Sequence, residues 1–345
     1  MSNTNDATSA ASNISSDVAT LALVADIGGT NSRFAITDTA TPELELLHAR
    51  RYKNADYASL QHVIETYLTE IGIRPPRAAI AVASPVNTDN IRLTNLSWSF
   101  NREDLRKALG FDELQLLNDF GAVAWSVPAL TAEHLMPLYV RNKNISRGPV
   151  TVLGPGTGLG VAMLVGNANT GWDVIETEGG HVSFAPLNAE EELINRWLTA
   201  RHGRCSNERI LCGSGMAQID AVLRNQIDHA TGQTQSVRDP ADIVAAALAG
   251  HDNDARRTLA RFCAILGSVC GDTALIHGSR ALVIAGGIVP RFIPFLMASA
   301  FRERFLAKGR FVAYLENVDV FATTHPEPGL LGAANSLRNT HPLGP

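Results

Sequence analysis

The sequence predicts an α/β protein built from two related halves, each with a mixed sheet. Three strand segments, residues 21–27, 32–37 and 44–52, precede alternating helices and strands, an order typical of neither a TIM barrel nor a Rossmann unit. A second unit of strand, glycine turn and strand begins at residue 150. At 345 residues the chain has about the length of two domains.

The first half is predicted element by element from apolar runs and helical spacing. The first two strands meet at Gly28-Gly29, which indicates a tight hairpin. Apolar residues recur at helical spacing between residues 60 and 71, and residues 78–83 form an apolar run. Asn101 precedes an acidic turn, as a helix N-cap does. The next apolar strand, residues 114–117, leads directly into Asn118-Asp119.

The second half is predicted to be mostly helical after its glycine hairpin. Residues 148–172 are uncharged, but seven glycines and two prolines break them too often for a helix in lipid. Later segments carry helical periodicity or apolar strand runs. The predicted helices are 189–200, 216–226, 240–249, 254–276, one from about 290 and 329–337, and the predicted strands are 281–285 and 318–323.

Composition and charge exclude several function classes. Hydrophobic residues make up 45% and charged residues 18% of the chain, which is ordinary for a globular protein. The net charge of −5 gives no basic surface for nucleic acid or a membrane. Residues 1–20 hold no Lys or Arg and no apolar core of a secretory signal, so we expect a flexible tail and a cytoplasmic protein. The four cysteines lack zinc-ligand spacing and are expected to be reduced and packed: Cys205, Cys212, Cys263 and Cys270.

Two glycine-rich turns could each hold a phosphate. The first has Asp26 at a strand end, followed by Gly28, Gly29, Thr30 and Asn31. Glycines allow backbone N–H groups to approach an anion, and the Asp26 carboxylate can hold Mg²⁺ through water. The second turn contains Gly156, Thr157 and Gly158, without the Lys of a Walker A loop. Either turn alone could be an ordinary hairpin, but two such loops could grip one polyphosphate from both sides.

Polar side chains elsewhere suggest a site for a polyhydroxylated ligand. Asp119 lies where a buried strand ends, so it could accept a proton from a hydroxyl in a cleft, or simply cap the following helix. Glu178 and His181 flank a glycine turn and could bind hydroxyls as acceptor and donor, although a lone His is more often structural. Glu208 alone would be taken for a solvated surface acid.

Together these segments resemble the bacterial glucokinases of the hexokinase/actin-like ATPase superfamily. The resemblance covers residues 21–337, and five motifs in this order are far more specific than any one of them. The motifs are LVADIGGTN at 23–31, LNDF at 117–120, GTGLG at 156–160, EGGHV at 178–182 and IAGGIVPR at 284–291. The ROK sugar kinases are a poorer match, because no cysteine-rich zinc motif follows His181.

The resemblance implies a two-domain actin-like, ribonuclease-H-like ATPase fold with a mixed sheet in each domain and a ligand cleft between them. It places residues 21–129 with 322–341 in a small domain and 130–321 in a large one. The implied activity is ATP-dependent phosphorylation of D-glucose with Mg²⁺, in a homodimer. Another hexose (mannose or an N-acetylated hexosamine) as substrate, or a sugar sensor without turnover, stays open. An actin-like assembly ATPase is disfavoured by the acid–His set.

The resemblance also implies roles for single residues. Asp119 would be the general base on the sugar 6-hydroxyl. The hydroxyl-binding set would be Asn95, Asn118, Asp119, Glu178, His181 and Glu208. The nucleotide would be held by Asp26, Gly28, Gly29, Thr30, Asn31, Gly156, Thr157, Gly158, Gly286 and Gly287, the last two on the adenine side.

Overall fold

Two mixed β-sheets organise the chain in the computed structural model, which describes residues 18–94, 96–142, 144–228 and 233–338. The strands are β1 Leu21–Ile27, β2 Asn31–Asp38, β3 Leu47–Lys53, β4 Arg77–Val82, β5 Asn90–Arg92, β6 Ser99–Asn101, β7 Glu113–Asn118, β8 Leu135–Tyr139, β9 Val150–Pro155, β10 Leu159–Asn167, β11 Gly171–Thr177, β12 Ala281–Ile284 and β13 Asp319–Thr323. β5 and β6 form a separate two-stranded hairpin.

The two large sheets repeat one arrangement. The first has the order β3-β2-β1-β4-β7, and the second has the order β11-β10-β9-β12-β13-β8. In each sheet three antiparallel strands are followed by two strands that run parallel to the third. The strands β9, β10, β11, β12 and β13 therefore correspond to β1, β2, β3, β4 and β7. The second sheet adds β8 as an antiparallel edge strand. This repetition confirms the two related halves predicted from the glycine hairpins.

The helices are mostly those that apolar spacing predicts. They are α1 Leu60–Ile71, α2 Arg102–Leu109, α3 Asp119–Ser126, α4 Ala189–His202, α5 Asn207–Ile210, α6 Gly213–Leu223, α7 Pro240–Ala249, α8 Asn253–His277, α9 Ile293–Ala298, α10 Phe301–Leu306, α11 Val312–Leu315 and α12 Pro328–Ser336. In α1, Ser59 caps the first turn, Gly72 ends the helix in the left-handed conformation, and the predicted apolar face is buried. Asn101 caps α2 as expected, accepting hydrogen bonds from two backbone N–H groups.

One helix in the described part of the chain, α8, is long and apolar enough to cross a membrane. Two thirds of its most apolar window is buried inside the protein, where α8 packs against α6, α7 and α10. The helix is therefore the central core helix beside the second sheet. The uncharged segment 148–172 forms β9 and β10, as its glycines predict, and also the start of β11.

Close contact between α3 and α12 fixes the position of α3. Gly332 makes this contact, since a Cβ there would lie 1.6 Å from the carbonyl oxygen of Ala122. The side chain of Asn335 donates a hydrogen bond to the carbonyl of Trp125, 2.9 Å away. The helix that begins at Asp119 is thus held by the C-terminal helix, 200 residues later in the chain.

The structure contains strands that the sequence analysis did not predict: β5, β6, β8 and β11. The expected division of the chain, with residues 322–341 in the small domain, stays a prediction. Residue 322 lies inside β13, which belongs to the six-stranded sheet. The chain passes from that sheet to α12 only after Thr323. The predicted tail lies outside the described residues as far as residue 17. The four cysteines are free and buried, as predicted.

Candidate active site

A cleft of about 820 Å³ opens where the strands of both sheets end. Its walls include Asn118 at the end of β7, Gly154 in β9, Gly286 after β12 and Thr323 in β13. These are the carboxyl ends of parallel strands, the usual position of a ligand in α/β sheets. The cleft is therefore bounded by both halves of the molecule.

The N-terminus of α3 brings Asn118 and Asp119 to the wall of the cleft. Asn118 is the cap of this helix: its Oδ1 accepts hydrogen bonds from the N–H groups of Phe120 at 3.0 Å and Gly121 at 3.2 Å. Asp119 is the first residue of the helix, and its Oδ1 accepts only from the neighbouring Phe120 N–H at 2.8 Å. The alternative that Asp119 caps the helix is wrong, because Asn118 does so.

The surroundings of Asp119 favour its protonated form. Burial raises the pKa of the Asp119 carboxyl to about 6, although the Phe120 N–H bond opposes this rise. The negative charges of Asp26, Glu178 and Glu176 raise it further. A carboxyl with this pKa is still mostly ionised at pH 7 and is a stronger proton acceptor than an exposed aspartate.

Glu176 is a residue of this site that the sequence analysis missed. It lies in β11, and its Oε1 accepts a hydrogen bond from the backbone N–H of Asn118 at 2.9 Å. The carboxylate lies where a Cβ on Gly121 would approach it to 2.4 Å, so a side chain at residue 121 would displace the carboxylate. Burial raises the pKa of Glu176, against the effect of the Asn118 N–H. The pairing of β10 with β11 places Glu176 opposite Ala162, a register that no local motif reveals.

The opposite wall of the cleft holds the predicted acid–His set. His181 lies 3.8 Å through Nε2 from Oε2 of Glu178 and 3.8 Å through Nδ1 from Oε1 of Glu208. The turn approaches β10 so closely that a Cβ on Gly180 would lie 2.1 Å from the carbonyl oxygen of Leu159. Glu208, which looked like a surface acid, lines the cleft together with the other two residues.

Glu208 also contacts the second glycine turn. Its Oε2 accepts a hydrogen bond from the N–H of Leu159 at 3.0 Å, and a Cβ on Gly158 would lie 2.5 Å from the same oxygen. The structure thus joins the acid–His set to the glycine turn through one carboxylate. A side chain at residue 158 would push the carboxylate away, which explains the glycine there.

A second cavity, of about 1020 Å³, adjoins the cleft on the far side of this turn. Gly156, Thr157 and Gly287 line both cavities. Gly286 has a left-handed φ of +87°, and a Cβ on it would lie 2.4 Å from the carbonyl of Pro155. These turns therefore separate the two cavities, with backbone exposed to both.

The first glycine turn does not lie among the residues that line the cleft. Gly28 donates from its N–H to the carbonyl of Asn31 at 3.0 Å, closing the hairpin, while Gly29 and Thr30 are exposed. Asp26, at the end of β1, forms an ion pair with Arg33 at 3.1 Å. Burial raises the pKa of the Asp26 carboxyl, and Arg33 opposes this effect.

Further polar residues line the cleft that the sequence analysis did not name: Ser84, Thr94, Thr177, Thr323, Thr324 and His325. His325 accepts a hydrogen bond at Nδ1 from the Glu327 N–H at 3.1 Å, so its neutral form carries the proton on Nε2. Burial and the nearby His134 ring lower the pKa of His325. Asn95, a predicted sugar ligand, lies outside the described residues. Among the described residues, no three His, Cys, Asp or Glu side chains group as metal ligands.

The chain is similar to glucokinases over nearly its whole length. A model of the glucokinase family matches residues 23–340. The glucokinases of Salmonella typhi and Klebsiella pneumoniae are each 41% identical to it over 321 residues, which are 92% of this chain and 97% of each relative. A solved glucokinase from an Antarctic psychrotroph has a TM-score of 0.80 and 35% identity, covering 93% of this chain and 99% of its own.

More distant structures share the fold. A ROK family glucokinase from Streptomyces griseus, solved with glucose and AMPPNP, has a TM-score of 0.63 at 19% identity and covers 92% of this chain and 98% of its own. At this identity the similarity shows that the two proteins share the architecture of two mixed sheets. The family match and the 41% identity establish more, and they agree with a cleft that joins a helix-borne aspartate to a glycine turn. The chain belongs to the glucokinase family and is a hexose kinase.

Proposed function

We propose that this hexose kinase transfers the γ-phosphoryl group of ATP to the 6-hydroxyl of D-glucose, with Asp119 as general base. One observation carries the proposal. The cleft that contains Asp119 also contains the acid–His set and the glycine turn that Glu208 touches. A sugar held by the first set and a phosphate held by the second would meet at Asp119.

The sugar ligands we assign are Asn95, Asn118, Asp119, Glu178, His181 and Glu208. Asn118 uses Oδ1 to cap α3, so its Nδ2 is the atom left to donate to a sugar hydroxyl. The two carboxylates beside His181 accept hydroxyl protons, and the imidazole can donate or accept. Discrimination is large where a buried polar group must find its hydroxyl, roughly 10⁴-fold in a well-built site.

ATP would lie across the second glycine turn. Gly156, Thr157 and Gly158 would approach its phosphates from the cleft side, while the adjoining cavity beyond Gly287 has room for the nucleoside. The Streptomyces griseus protein, which shares this fold, was solved with AMPPNP, and this supports ATP as the nucleotide. We assign the hairpin of Gly28, Gly29, Thr30 and Asn31 to the outer side of the phosphates, where domain closure would bring it.

Mg²⁺ fits the residues present as an ion held mainly by the phosphates. Asp26 has one carboxylate oxygen engaged by Arg33, so it could reach the ion through a water molecule with the other. The described residues offer no cluster that could hold the ion by itself. Bound with ATP, Mg²⁺ would supply neutralisation of phosphate charge.

Asp119 would act by positioning more than by basicity. Phosphoryl transfer passes through a loose transition state, so the attacking hydroxyl needs orientation and a proton acceptor late in the reaction. Attachment to the first turn of α3, clamped by α12, gives the carboxylate a fixed position. Closure of the two domains over the cleft would exclude the water that would otherwise hydrolyse ATP.

The domain division, assembly and location are part of the proposal. We assign β1–β7 with α1–α3 and α12 to a small domain and β8–β13 with α4–α11 to a large one. The boundary is residue 129/130 on one side and the end of β13 on the other. We also propose a homodimer, which the resemblance implies, and a cytoplasmic location.

The test is ADP release from Mg-ATP with glucose, mannose, fructose, galactose and N-acetylglucosamine, for the wild type, Asp119→Ala and Asp104→Ala. Asp104 is an exposed acid in α2 and serves as the control. Rapid turnover with glucose alone, lost in Asp119→Ala and kept in Asp104→Ala, is expected. Faster turnover of another sugar would make that sugar the substrate. Full activity of Asp119→Ala would overturn the role of Asp119 as general base. Thermal protection by glucose without turnover of any sugar would indicate a sensor.

A further inference from the structure

A third polar cavity lies at the opposite end of the second sheet from the catalytic cleft. Its volume is about 850 Å³, close to that of the cleft, and the two share no lining residue. It opens at the amino ends of β9, β12 and β13, whereas the cleft lies at their carboxyl ends. The length of these strands separates the two sites by roughly 15–20 Å.

Three arginines line this cavity, which we call the arginine cavity: Arg141 and Arg147 precede β9, and Arg280 precedes β12. Among the described residues no carboxylate forms an ion pair with any of the three. The lining contains one acid, Asp319, which is only 7% exposed. Its Oδ1 accepts from the backbone N–H groups of Arg141 at 2.6 Å and Asn142 at 3.3 Å.

The remaining polar groups of the arginine cavity are neutral. They are the amides of Asn142, Asn144 and Asn317 and the hydroxyls of Ser146, Ser279 and Tyr314. The Oδ1 atom of Asn317 accepts a hydrogen bond from the Arg141 guanidinium. In a chain of net charge −5, three guanidinium groups and one carboxylate around one cavity are a local excess of positive charge. Guanidinium groups match the oxygens of a phosphate, and amides and hydroxyls can bind the hydroxyls of the attached group.

We propose that the arginine cavity is a second ligand site, which binds the phosphate group of a small phosphorylated metabolite. Arg147 and Arg280 contact the phosphate from two segments of the chain, and the neutral groups contact the rest of the ligand. The site is distinct from the nucleotide cavity beyond Gly287, since it lies at the other end of β12.

The test measures binding by titration calorimetry on the full chain, with inorganic phosphate and with glucose 6-phosphate as probes. Saturating glucose and Mg-AMPPNP fill the catalytic cleft throughout. We expect saturable binding to the wild type and a Kd at least about tenfold higher in the Arg147→Gln/Arg280→Gln variant, which is about 1.4 kcal/mol. Arg196→Gln, which removes an exposed charge from α4, should bind as the wild type does.

Both replaced arginines are exposed, so an unchanged unfolding midpoint will confirm that the double variant is folded. Equal affinity for the two probes indicates recognition of phosphate alone, and tighter binding of glucose 6-phosphate adds hydroxyl contacts. Either result supports the proposal. An unchanged Kd in the folded double variant, an equal loss in Arg196→Gln, or no saturable binding of either probe to the wild type would overturn it.

Discussion

Asp119 combines a catalytic position with an environment that disfavours its charge. Its pKa of about 6 in the folded protein lies above the ordinary value because of burial and neighbouring acids. Such a carboxyl stabilises the folded state below its ordinary pKa, and that contribution is lost as the pH rises through about 6. At pH 7 the ionised Asp119 therefore lowers the free energy of unfolding.

Replacing Asp119 by Asn should consequently raise stability while removing activity. Asn keeps an oxygen that can accept the Phe120 N–H, and it removes the charge. We expect kcat to fall by roughly 10²–10⁴-fold and the free energy of unfolding at pH 7 to rise by about 1–2 kcal/mol. Steady-state kinetics and urea unfolding measure the two effects, with Asp104→Asn as control. A variant with normal kcat would contradict the role of Asp119.

Glu176 offers a test of the electrostatics around the base. In Glu176→Gln an oxygen remains to accept the Asn118 N–H, but the negative charge that raises the pKa of Asp119 is gone. When kcat is plotted against pH, the acidic limb of the wild type is expected near pH 6. In Glu176→Gln this limb should move to a pH lower by about half a unit. Glu176→Ala, which also loses the hydrogen bond, should lower kcat as well. If the acidic limb in Glu176→Gln stays at the wild-type pH, the charge of Glu176 does not affect the pKa of Asp119.

At the scale of helices and strands, the sequence predicts those elements whose signals lie within one short segment of the chain. β1 and β9 are continuous apolar runs because both their faces are buried, and α1 has its apolar spacing, its Ser59 cap and its terminal Gly72 in one segment. The motif residues of the cleft follow such strands directly. The resemblance carried by these motifs predicts Asn118, Asp119 and Gly156 at one site, and all three line the cleft.

The missed elements depend on partners far away in the chain. β8 contains Pro137, which argues against a strand, but β8 is an edge strand bonded only to β13. β11 is an edge strand with few buried residues, and it forms because β10 pairs with it. Glu176 reaches Asn118 only through that pairing, so no spacing in the sequence could have indicated it.

The contact between α3 and α12 predicts a large effect from one methyl group. In Gly332→Ala the new Cβ would meet the backbone of Ala122, which cannot yield without moving α3. We expect a loss of at least about 2 kcal/mol in the free energy of unfolding and a lower kcat, because Asp119 begins that helix. In Gly213→Ala a Cβ meets no atom closer than 3.8 Å, so this control should keep its stability. Equal unfolding midpoints for both variants would refute the argument.

At the scale of the whole molecule, the two sheets are joined where the chain passes twice between them. The first passage follows α3 and the second follows β13. The two touch: the Thr324 N–H donates to the carbonyl of His134 at 2.9 Å, and the rings of His134 and His325 lie 4.8 Å apart. This contact between the two passages lies beside the cleft, since Thr324 and His325 both line the cleft. A ligand in the cleft would therefore restrain the motion of one half against the other.

Glucose should accordingly stabilise the molecule as a unit, because its assigned ligands come from both halves. Asn118 and Asp119 follow the first sheet, whereas Glu178, His181 and Glu208 belong to the second. At a glucose concentration about 100 times Kd, the free energy of unfolding should rise by about 2.7 kcal/mol. Calorimetry should then show an unfolding midpoint higher by about 4 °C. In His181→Ala this shift should shrink while the unliganded midpoint changes little, since His181 is half exposed. A full shift in His181→Ala would show that glucose is held elsewhere than between the two halves.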